Sequence, residues 1–125
     1  MADVKEIYND LLFGQSEFRK DYPEQMKTYA QTRHDYIEVP GALDVKTKQI
    51  IGVAVAVFAR CDYCIVSHTC MALEAGATPK ELEEAVMVAA FFGGGPAMSY
   101  GVVLMRETID KYYPEIKKKL ENNKS

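Results

Sequence analysis

Apolar residues recur at helical spacing along the first third of the chain. In residues 3–20 they alternate with charged side chains in the pattern of an amphipathic helix: Val4, Ile7, Tyr8, Leu11, Leu12 and Phe18. A second helix is expected after Asp21, because Pro23 suits a first turn and the Pro40-Gly41 pair would end it. The N-terminal part of the chain is therefore predicted to be two helices.

The next segment, VKTKQIIGVAVAVFAR, admits two interpretations. Asp44 before it is a suitable N-cap for a helix. However, valines alternate with alanines at positions 53–57, which also fits a strand leading into a C-x-x-C motif, as in a thioredoxin-like fold. A sheet needs several strands, and no second alternating run bounded by turns occurs in the sequence. The helical interpretation is therefore preferred.

Turn and cap residues organise the second half of the chain. Gly76 is a natural helix end, and Thr78-Pro79-Lys80-Glu81 has the composition of a capping box that starts a new helix. Gly93–Pro96, with the sequence GGGP, is expected to break that helix, and Pro96 to open another that runs through Ile109 and ends before Pro114. Residues 1–125 are thus predicted to form one all-α domain, a bundle of about six helices.

Composition and charge narrow the classes of function. The chain has 48% hydrophobic residues and a formal net charge of −3, which is typical of a globular protein without a basic surface for phosphates. We therefore expect neither nucleic acid nor membrane as a partner, and the separate apolar runs are shorter than the ~20 residues of a membrane span. The N-terminus, MADVKEIYND, does not resemble a signal peptide, so a cytoplasmic location is expected.

The segment CDYCIVSH, residues 61–68, carries the candidate chemistry. On a helix Cys61, Cys64 and His68 would share one face. A nearby imidazole lowers the pKa of a thiol, and so does a helix N-terminus, which Cys64 would occupy if Asp62 capped a helix starting at Tyr63. Cys61 could then attack a mixed disulfide or sulfenic acid formed on Cys64.

A metal site is the competing interpretation of this segment. Zinc prefers four ligands, and the sequence offers few candidates beyond the segment itself. Cys70 would point to another side of the helix, where it is expected to be a buried small hydrophobic residue, and His34 lies on a distant helix. We therefore expect no metal and no cofactor, although a helical oligomerisation module stabilised by metal stays an alternative.

Larger motifs extend the pattern. From Leu43 to Gly101 the chain combines LDxKTK, CxxCxxxH, a GAT turn and the GGGPA break, and in these it resembles the carboxymuconolactone decarboxylase family, specifically its branch similar to alkylhydroperoxidase D. The resemblance implies an all-helical fold and assembly into trimers or hexamers. It also implies thiol-dependent peroxidase or disulfide reductase activity.

The resemblance further implies roles for individual residues. Cys64 would be the attacking cysteine, Cys61 the resolving one, and His68 part of the relay that deprotonates Cys64. Members with this motif usually carry a glutamate twelve residues before the first cysteine, where this chain has Gln49. A glutamine can orient a neighbour but cannot take up a proton, so the relay is expected to be weaker unless Asp62 or another acid substitutes. Gln49 as a tolerated polar residue at a helix bend stays an equal alternative.

These considerations predict a thiol enzyme that reduces a hydroperoxide or a protein disulfide and is recharged by a thiol donor that the sequence does not identify. Tyr63, between the cysteines, could contact the substrate, although packing against a neighbouring helix is the simpler role for an aromatic side chain. The alternative enzyme class is a lyase of the lactone decarboxylase type. The cysteine pair counts against that class, because members resembling true decarboxylases generally lack it.

Overall fold

The computed structural model describes residues 3–124, which form α-helices and contain no strand. The six helices are α1 Val4–Asp21, α2 Pro23–Arg33, α3 Val45–Ala59, α4 Asp62–Glu74, α5 Pro79–Tyr100 and α6 Arg106–Asn122. One π-helical turn, His34–Glu38, extends α2, and another, Gly101–Met105, joins α5 to α6. The prediction of an all-α bundle of about six helices is confirmed, and the alternating valines lie on a helix.

Side-chain caps start the central helices where the sequence predicts them. The Asp44 carboxylate accepts the Thr47 backbone N–H at 2.7 Å, at the start of α3. Before α5, Thr78 Oγ1 accepts the Glu81 N–H at 3.2 Å, and Glu81 accepts the Thr78 N–H at 2.9 Å. These bonds satisfy amides that have no partner within the helix. Gly76 follows α4 with φ 101°, as its predicted role as a helix end requires.

The glycine-rich stretch breaks the helix as predicted. Gly94 lies at φ 71° and ψ −157°, a conformation that a helix cannot contain, and this sharp bend folds the following turns back. As a result Gly101 packs directly on Val86, and any side chain at position 101 would collide with that valine. The helical turns before and after the bend therefore pack against each other, and they come closest where Gly101 meets Val86.

The predicted end of the last helix before Pro114 is wrong. Helix α6 continues through Pro114 to Asn122. The proline costs one backbone hydrogen bond, but the residues around it bury an apolar stripe against the core, and this packing outweighs the local preference. The stripe consists of Ile109, Tyr112, Tyr113 and Ile116.

The core lies between α3, α4 and α5, with α1 and α6 closing its side. Its largest fully buried apolar side chains are Val53, Val57, Ile65, Val66, Leu73, Leu82 and Met105. Helix α4 contributes more buried residues than its neighbours and contacts every other α-helix of the core. The buried part of α4 begins at Ile65, directly after the first turn, so the packing of the helix sets the position of that turn.

Helices α3 and α5 also leave large apolar side chains in solvent. The exposed residues are Ile51, Val55 and Phe58 on α3, and Met87, Val88, Phe91 and Phe92 on α5. We refer to these seven residues as the α3–α5 face. Phe91 alone is 85% exposed, and exposed apolar surface of this extent usually marks a contact with another molecule.

The stretch Pro79–Asn122 passes a length and composition test for a membrane-spanning helix, with a mean hydropathy of 1.5 over its most apolar window. The shorter apolar runs in the sequence did not predict this result. Core helices of soluble proteins pass the same test, although here only 22% of the window is buried. The bend at Gly94 divides the stretch, which is therefore not one straight helix.

Candidate active site

A sharp turn separates α3 from α4 and brings the cysteines to a helix start. Arg60, at φ 56°, ends α3 in the left-handed conformation and is the sole non-glycine residue with positive φ between residues 3 and 124. The Arg60 and Cys61 amides donate back to the carbonyls of Val57 and Ala56, each at 3.2 Å. This pairing terminates α3, so that the cysteine segment begins a new helix.

The N-cap of α4 is Cys61, and the prediction that Asp62 fills this position is wrong. The Cys61 sulfur accepts the Cys64 backbone N–H at 3.2 Å, and the helix begins at Asp62. The sulfur thus occupies the place that a capping oxygen usually takes, while the Asp62 carboxylate lies in the first turn, where negative charge is favourable. Consequently Cys64 and His68 share a helical face, but Cys61 precedes the helix.

Cys61 and Cys64 are joined by a disulfide. Their Cα atoms are 5.2 Å apart, within the range that a disulfide requires. Both residues are half-buried, in contrast to a structural bridge sealed in a core. The turn at Arg60 therefore holds the two sulfurs within bonding reach at the positive end of a helix.

Two cavities meet at Cys64 and His68. The α1-side cavity, of about 830 Å³, lies between α1, α2 and α4, and its walls include Tyr8, Leu11, Arg33 and Tyr63. The α3-side cavity, of about 410 Å³, is lined by Ile37, Ile51, Gly52 and Val55, among others. Cys64 and His68 line both cavities, whereas Cys61 lines neither. A small molecule in either cavity would therefore meet the Cys64 end of the disulfide.

The imidazole of His68 lies against the backbone of α3. A methyl group at Gly52 would be 3.5 Å from His68 Nδ1, and this nitrogen has no hydrogen-bond partner among the described residues. Burial lowers the pKa of His68 below its usual value, and the positive charge of Arg33 lowers it further. The ring is therefore neutral at pH 7 and able to accept a proton.

Gln49 is a buried polar residue of α3. Its side chain is 3% exposed, and its Oε1 has no hydrogen-bond partner within the described chain. Gln49 lies one helical turn before Gly52, which contacts the His68 ring, yet no hydrogen bond joins Gln49 to His68. Gln49 and His68 thus each present a buried polar atom without a hydrogen-bond partner among the described residues, a costly arrangement in an apolar interior.

The two remaining predicted contact residues differ in position. Tyr63 is 50% exposed and lines the α1-side cavity, where it can meet a ligand. Asp62 lines neither cavity, so the structure does not bring its carboxylate to the cysteine and histidine pair. The predicted substitution of Asp62 for a relay glutamate has no support in this arrangement.

Helices α1 and α2 contribute side chains to the site that no motif of the sequence revealed. Arg33, Arg19 and Lys27 line the α1-side cavity, and no Asp or Glu of the described residues lines it. These residues precede the motifs at Leu43 and beyond, and α2 shows only a weak amphipathic pattern, so no local signal identified them. Their contribution depends on how α1 and α2 fold across α4.

A metal site finds no support in the described part of the chain. Among these residues no three His, Cys, Asp or Glu side chains lie close enough together to hold a metal ion. The single remaining free thiol, Cys70, is 1% exposed and lies on another side of α4. The two cysteines of the segment are instead joined to each other.

The sequence profile of the carboxymuconolactone decarboxylase family matches residues 23–107. The chain belongs to this family. A solved family member from Legionella pneumophila is 32% identical, with a TM-score of 0.77 over 90% of this chain and 96% of its own. A carboxymuconolactone decarboxylase family protein from Burkholderia xenovorans is 26% identical, with a TM-score of 0.67 over 90% of this chain and 84% of its own.

Other relatives are more distant or incompletely covered. A family member from Thermotoga maritima, described as having a suggested part in an antioxidative response, is 24% identical with a TM-score of 0.68, over 94% of this chain and 96% of its own. At this identity the likeness shows the fold alone.

An uncharacterised protein of the cox locus of Paracoccus denitrificans is 45% identical over 60 residues, 48% of this chain and 54% of that protein. An uncharacterised protein of Cupriavidus necator is 40% identical over 60 residues, 48% of this chain and 53% of its own length. The match thus spans about half the length of these two relatives.

Proposed function

We propose that this family member is a thiol-dependent peroxidase or disulfide reductase of the alkylhydroperoxidase D type, with Cys64 and Cys61 as its redox pair. The observation that carries the proposal is the disulfide at the start of α4, whose Cys64 end faces two cavities lined by a neutral histidine. A structural disulfide would need neither the cavities nor the imidazole.

In the first step the reduced enzyme attacks the oxidant. His68, neutral at pH 7, accepts the thiol proton of Cys64, and the helix N-terminus favours the resulting thiolate. The thiolate attacks one peroxide oxygen, the O–O bond breaks, and the alcohol leaves with the proton from His68. Cys64 is now a sulfenic acid, oxidised by two electrons.

In the second step Cys61 closes the disulfide. Its thiol attacks the Cys64 sulfur, the S–O bond breaks, and water leaves, so that one hydroperoxide and two thiols give one alcohol, one water and the disulfide. The 5.2 Å between the two Cα atoms in the closed disulfide lies within the ordinary range for such a bond. A protein disulfide would instead form a mixed disulfide on Cys64, which Cys61 resolves by thiol exchange.

A thiol donor then reduces the enzyme. Because Cys64 lines the cavities and Cys61 does not, the donor thiolate is expected to attack the Cys64 sulfur. Cys61 leaves as the thiolate, and its sulfur already accepts the Cys64 N–H at the N-cap, where negative charge is favoured. A second donor thiolate then attacks the donor sulfur of the mixed disulfide and releases Cys64 as a thiolate, so that two donor thiols become one disulfide. A good leaving group speeds thiol exchange, so the capping role of Cys61 supports its assignment as the resolving cysteine.

The decarboxylation that names the family is the second candidate. The cations of the α1-side cavity would suit a substrate with carboxylates, which is the specific observation in its favour. The cysteine pair would then have no part in the reaction. Turnover of a carboxymuconolactone that persists after alkylation of the reduced cysteines would support this lyase and contradict the redox proposal.

We also propose that the enzyme works as a homo-oligomer, a trimer or hexamer, in the cytoplasm, where thiol donors are abundant. The exposed apolar side chains of the α3–α5 face support a second copy as the covering partner. Ile51 and Val55 of this face also line the α3-side cavity, so a second copy bound there would close the open side of that cavity. Sedimentation of wild type and Phe91→Glu tests this. A wild-type monomer at micromolar concentration would contradict the proposal.

The redox proposal is tested by stopped-flow reaction of the reduced enzyme with hydrogen peroxide or cumene hydroperoxide. We expect Cys64→Ser to lose the reaction by a factor of at least ~10³, since no other thiol faces the cavities. Cys70→Ala removes a buried thiol of the same helix and serves as the matched control, with wild-type rates. Full activity of Cys64→Ser would contradict the proposal.

A further inference from the structure

The α1-side cavity has a long shape set by three helices. Its wall on α1 runs from Tyr8 to Arg19, eleven residues or about 16 Å at the helical rise. Cys64 and His68 lie on the α4 wall. Burial raises the pKa of Tyr8 and lowers that of His68, and the charge of Arg33 acts on both groups, which places Arg33 at the Tyr8 end.

The charged side chains that line this cavity are all positive, apart from any contribution of His68. Arg19, Lys27 and Arg33 line it, and no carboxylate of the described chain does, although the whole protein carries a formal charge of −3. Arg33 is paired with Glu38 at 3.3 Å, outside the lining. Between residues 3 and 124, neither Arg19 nor Lys27 forms an ion pair or a side-chain hydrogen bond. Two unpaired cations thus remain near the turn between α1 and α2.

The wall between these cations and the cysteine is mostly apolar, with Gln15 as the polar residue of α1 next to the cationic end. Leu11 and Leu12 of α1, Met26 of α2 and Met71 of α4 line it. Leucine and methionine side chains bind alkyl chains through dispersion and the removal of apolar surface from water, and methionine adapts to irregular shapes. The cavity therefore combines a cationic end, an apolar wall and a reactive sulfur within one long space.

We propose that the α1-side cavity selects long-chain hydroperoxides with a carboxylate head group, that is, fatty-acid hydroperoxides. The carboxylate binds at Arg19 and Lys27, the alkyl chain lies along the leucines and methionines, and the peroxide group meets Cys64. This inference rests on the proposed peroxidase function and adds its substrate class. The balance of the reaction is unchanged: the hydroperoxide gives the hydroxy acid and water, and Cys61 and Cys64 give the disulfide.

The first experiment compares substrates that differ only in charge. Rates with linoleic acid hydroperoxide and with its methyl ester are measured on the reduced wild-type enzyme, below the concentration at which either aggregates. Two exposed ion pairs of ordinary strength predict a kcat/KM preference for the acid of roughly fivefold to thirtyfold. The preference should fall in 0.5 M salt, because exposed charges are screened.

The second experiment removes the cations. The double variant Arg19→Gln with Lys27→Gln is expected to lose the preference for the acid, while its rate with tert-butyl hydroperoxide stays within twofold of wild type. Lys20→Gln is the matched control, because Lys20 belongs to the same helix as Arg19 but pairs with Glu17 and does not line the cavity. Loss of the preference in Lys20→Gln as well would overturn the assignment to the cavity.

A binding measurement separates the substrate class from the chemistry. Calorimetry with the oxidised protein compares the hydroxy fatty acid, which cannot react, with its methyl ester. Tighter binding of the acid by wild type, lost in the double variant, supports the inference whether or not the enzyme turns over. Equal binding and equal rates for acid and ester overturn it, and reduction of tert-butyl hydroperoxide in the same preparation would leave the peroxidase proposal standing.

A third experiment distinguishes a free fatty acid from an anionic membrane lipid as the substrate. Vesicles of phosphatidylglycerol hydroperoxide offer an anionic head group on a lipid that stays in a membrane. We expect a lower kcat/KM for these vesicles than for the free acid. The cavity is walled by three helices, so the chain of a lipid that stays in a membrane enters it less easily than a free acid does. A higher rate with the vesicles would overturn the choice of a free fatty acid. Inactivity toward every hydroperoxide, with intact binding of the acid, would overturn the peroxidase proposal alone.

Discussion

Helix α4 carries one cysteine in its first turn and another two turns later, and the two differ in every property that governs reactivity. Cys64 is half-buried, faces two cavities and is bonded to Cys61. Cys70 is 1% exposed, and burial raises the pKa of its thiol to about 12, with a further contribution from Glu74. The same side chain is thus accessible from a cavity or sealed in the core according to its place along one helix, and on our proposal only the accessible one is a redox group.

The largest expected difference is in alkylation. After reduction of the disulfide, iodoacetamide at pH 8 should label Cys70 at least ~100-fold more slowly than Cys64. A thiol with a pKa near 12 holds roughly a thousandth of the thiolate of an ordinary thiol with a pKa of 9.0, and burial blocks access as well. Mass spectrometry of peptides gives the two rates. In guanidinium chloride all three cysteines should react alike, and equal native rates would abolish the distinction.

The next difference is the imidazole that accompanies Cys64 but not Cys70. His68→Gln should lower kcat/KM for a hydroperoxide by about 100-fold at pH 7, the lower range for loss of a general base. Part of the rate should return near pH 9, where the thiol ionises without help. His34 is the exposed second histidine, so His34→Gln is the control and should keep the wild-type rate. A His68→Gln profile that matches the wild type would remove the histidine from the mechanism.

The contrast between the two cysteines was only partly predictable from the sequence. The first-turn position of Cys64 and the burial of Cys70 follow from helical spacing and turn residues, which depend on local chemistry. The left-handed Arg60 has no comparable local signal, because arginine is not a residue that favours this conformation. The cap was assigned to Asp62 since carboxylates are better caps than thiols, but the turn at Arg60 places the Cys61 sulfur there first.

Distant packing explains what the sequence did not reveal. The break at Gly94 could be predicted from its glycines, whereas the continuation of α6 through Pro114 depends on the core that Ile109 and Ile116 meet. The grouping of cations in the α1-side cavity also depends on tertiary packing. Arg33 lies thirty-five residues before His68, and its charge reaches the ring because α1 packs on α4 and α2 packs on α1.

A smaller effect concerns the stability that Cys70 contributes. Cys70→Ser places a hydroxyl in an apolar site and should lower the free energy of unfolding by about 1–3 kcal/mol. Cys70→Ala introduces no polar group and should cost about 1 kcal/mol. Urea unfolding measures both, and peroxide reduction by either variant should match wild type. A variant with normal stability and lost activity would give Cys70 a redox role and end the comparison.

The smallest expected effect is a displacement of the pH profile by Arg33. Burial and the Arg33 charge both lower the pKa of His68, so Arg33→Gln should raise that pKa. More of the imidazole is then protonated at pH 6, where it cannot accept the proton of Cys64, and the acid limb of kcat/KM moves to higher pH. We expect a rate at pH 6 that is roughly threefold lower than wild type, a size typical of one partly exposed charge.

The lowered pKa of His68 also makes the free energy of unfolding depend on pH. A histidine with a lowered pKa in the folded state binds fewer protons there than in the unfolded chain, so stability falls as pH drops below 6.5 toward the folded pKa. Arg33→Gln should reduce this loss. Arg33 also pairs with Glu38 at 3.3 Å, and Arg33→Lys keeps the charge while it weakens that contact. If Arg33→Lys moved the pH profile as far as Arg33→Gln, the Glu38 contact and not the charge would set the basicity of His68.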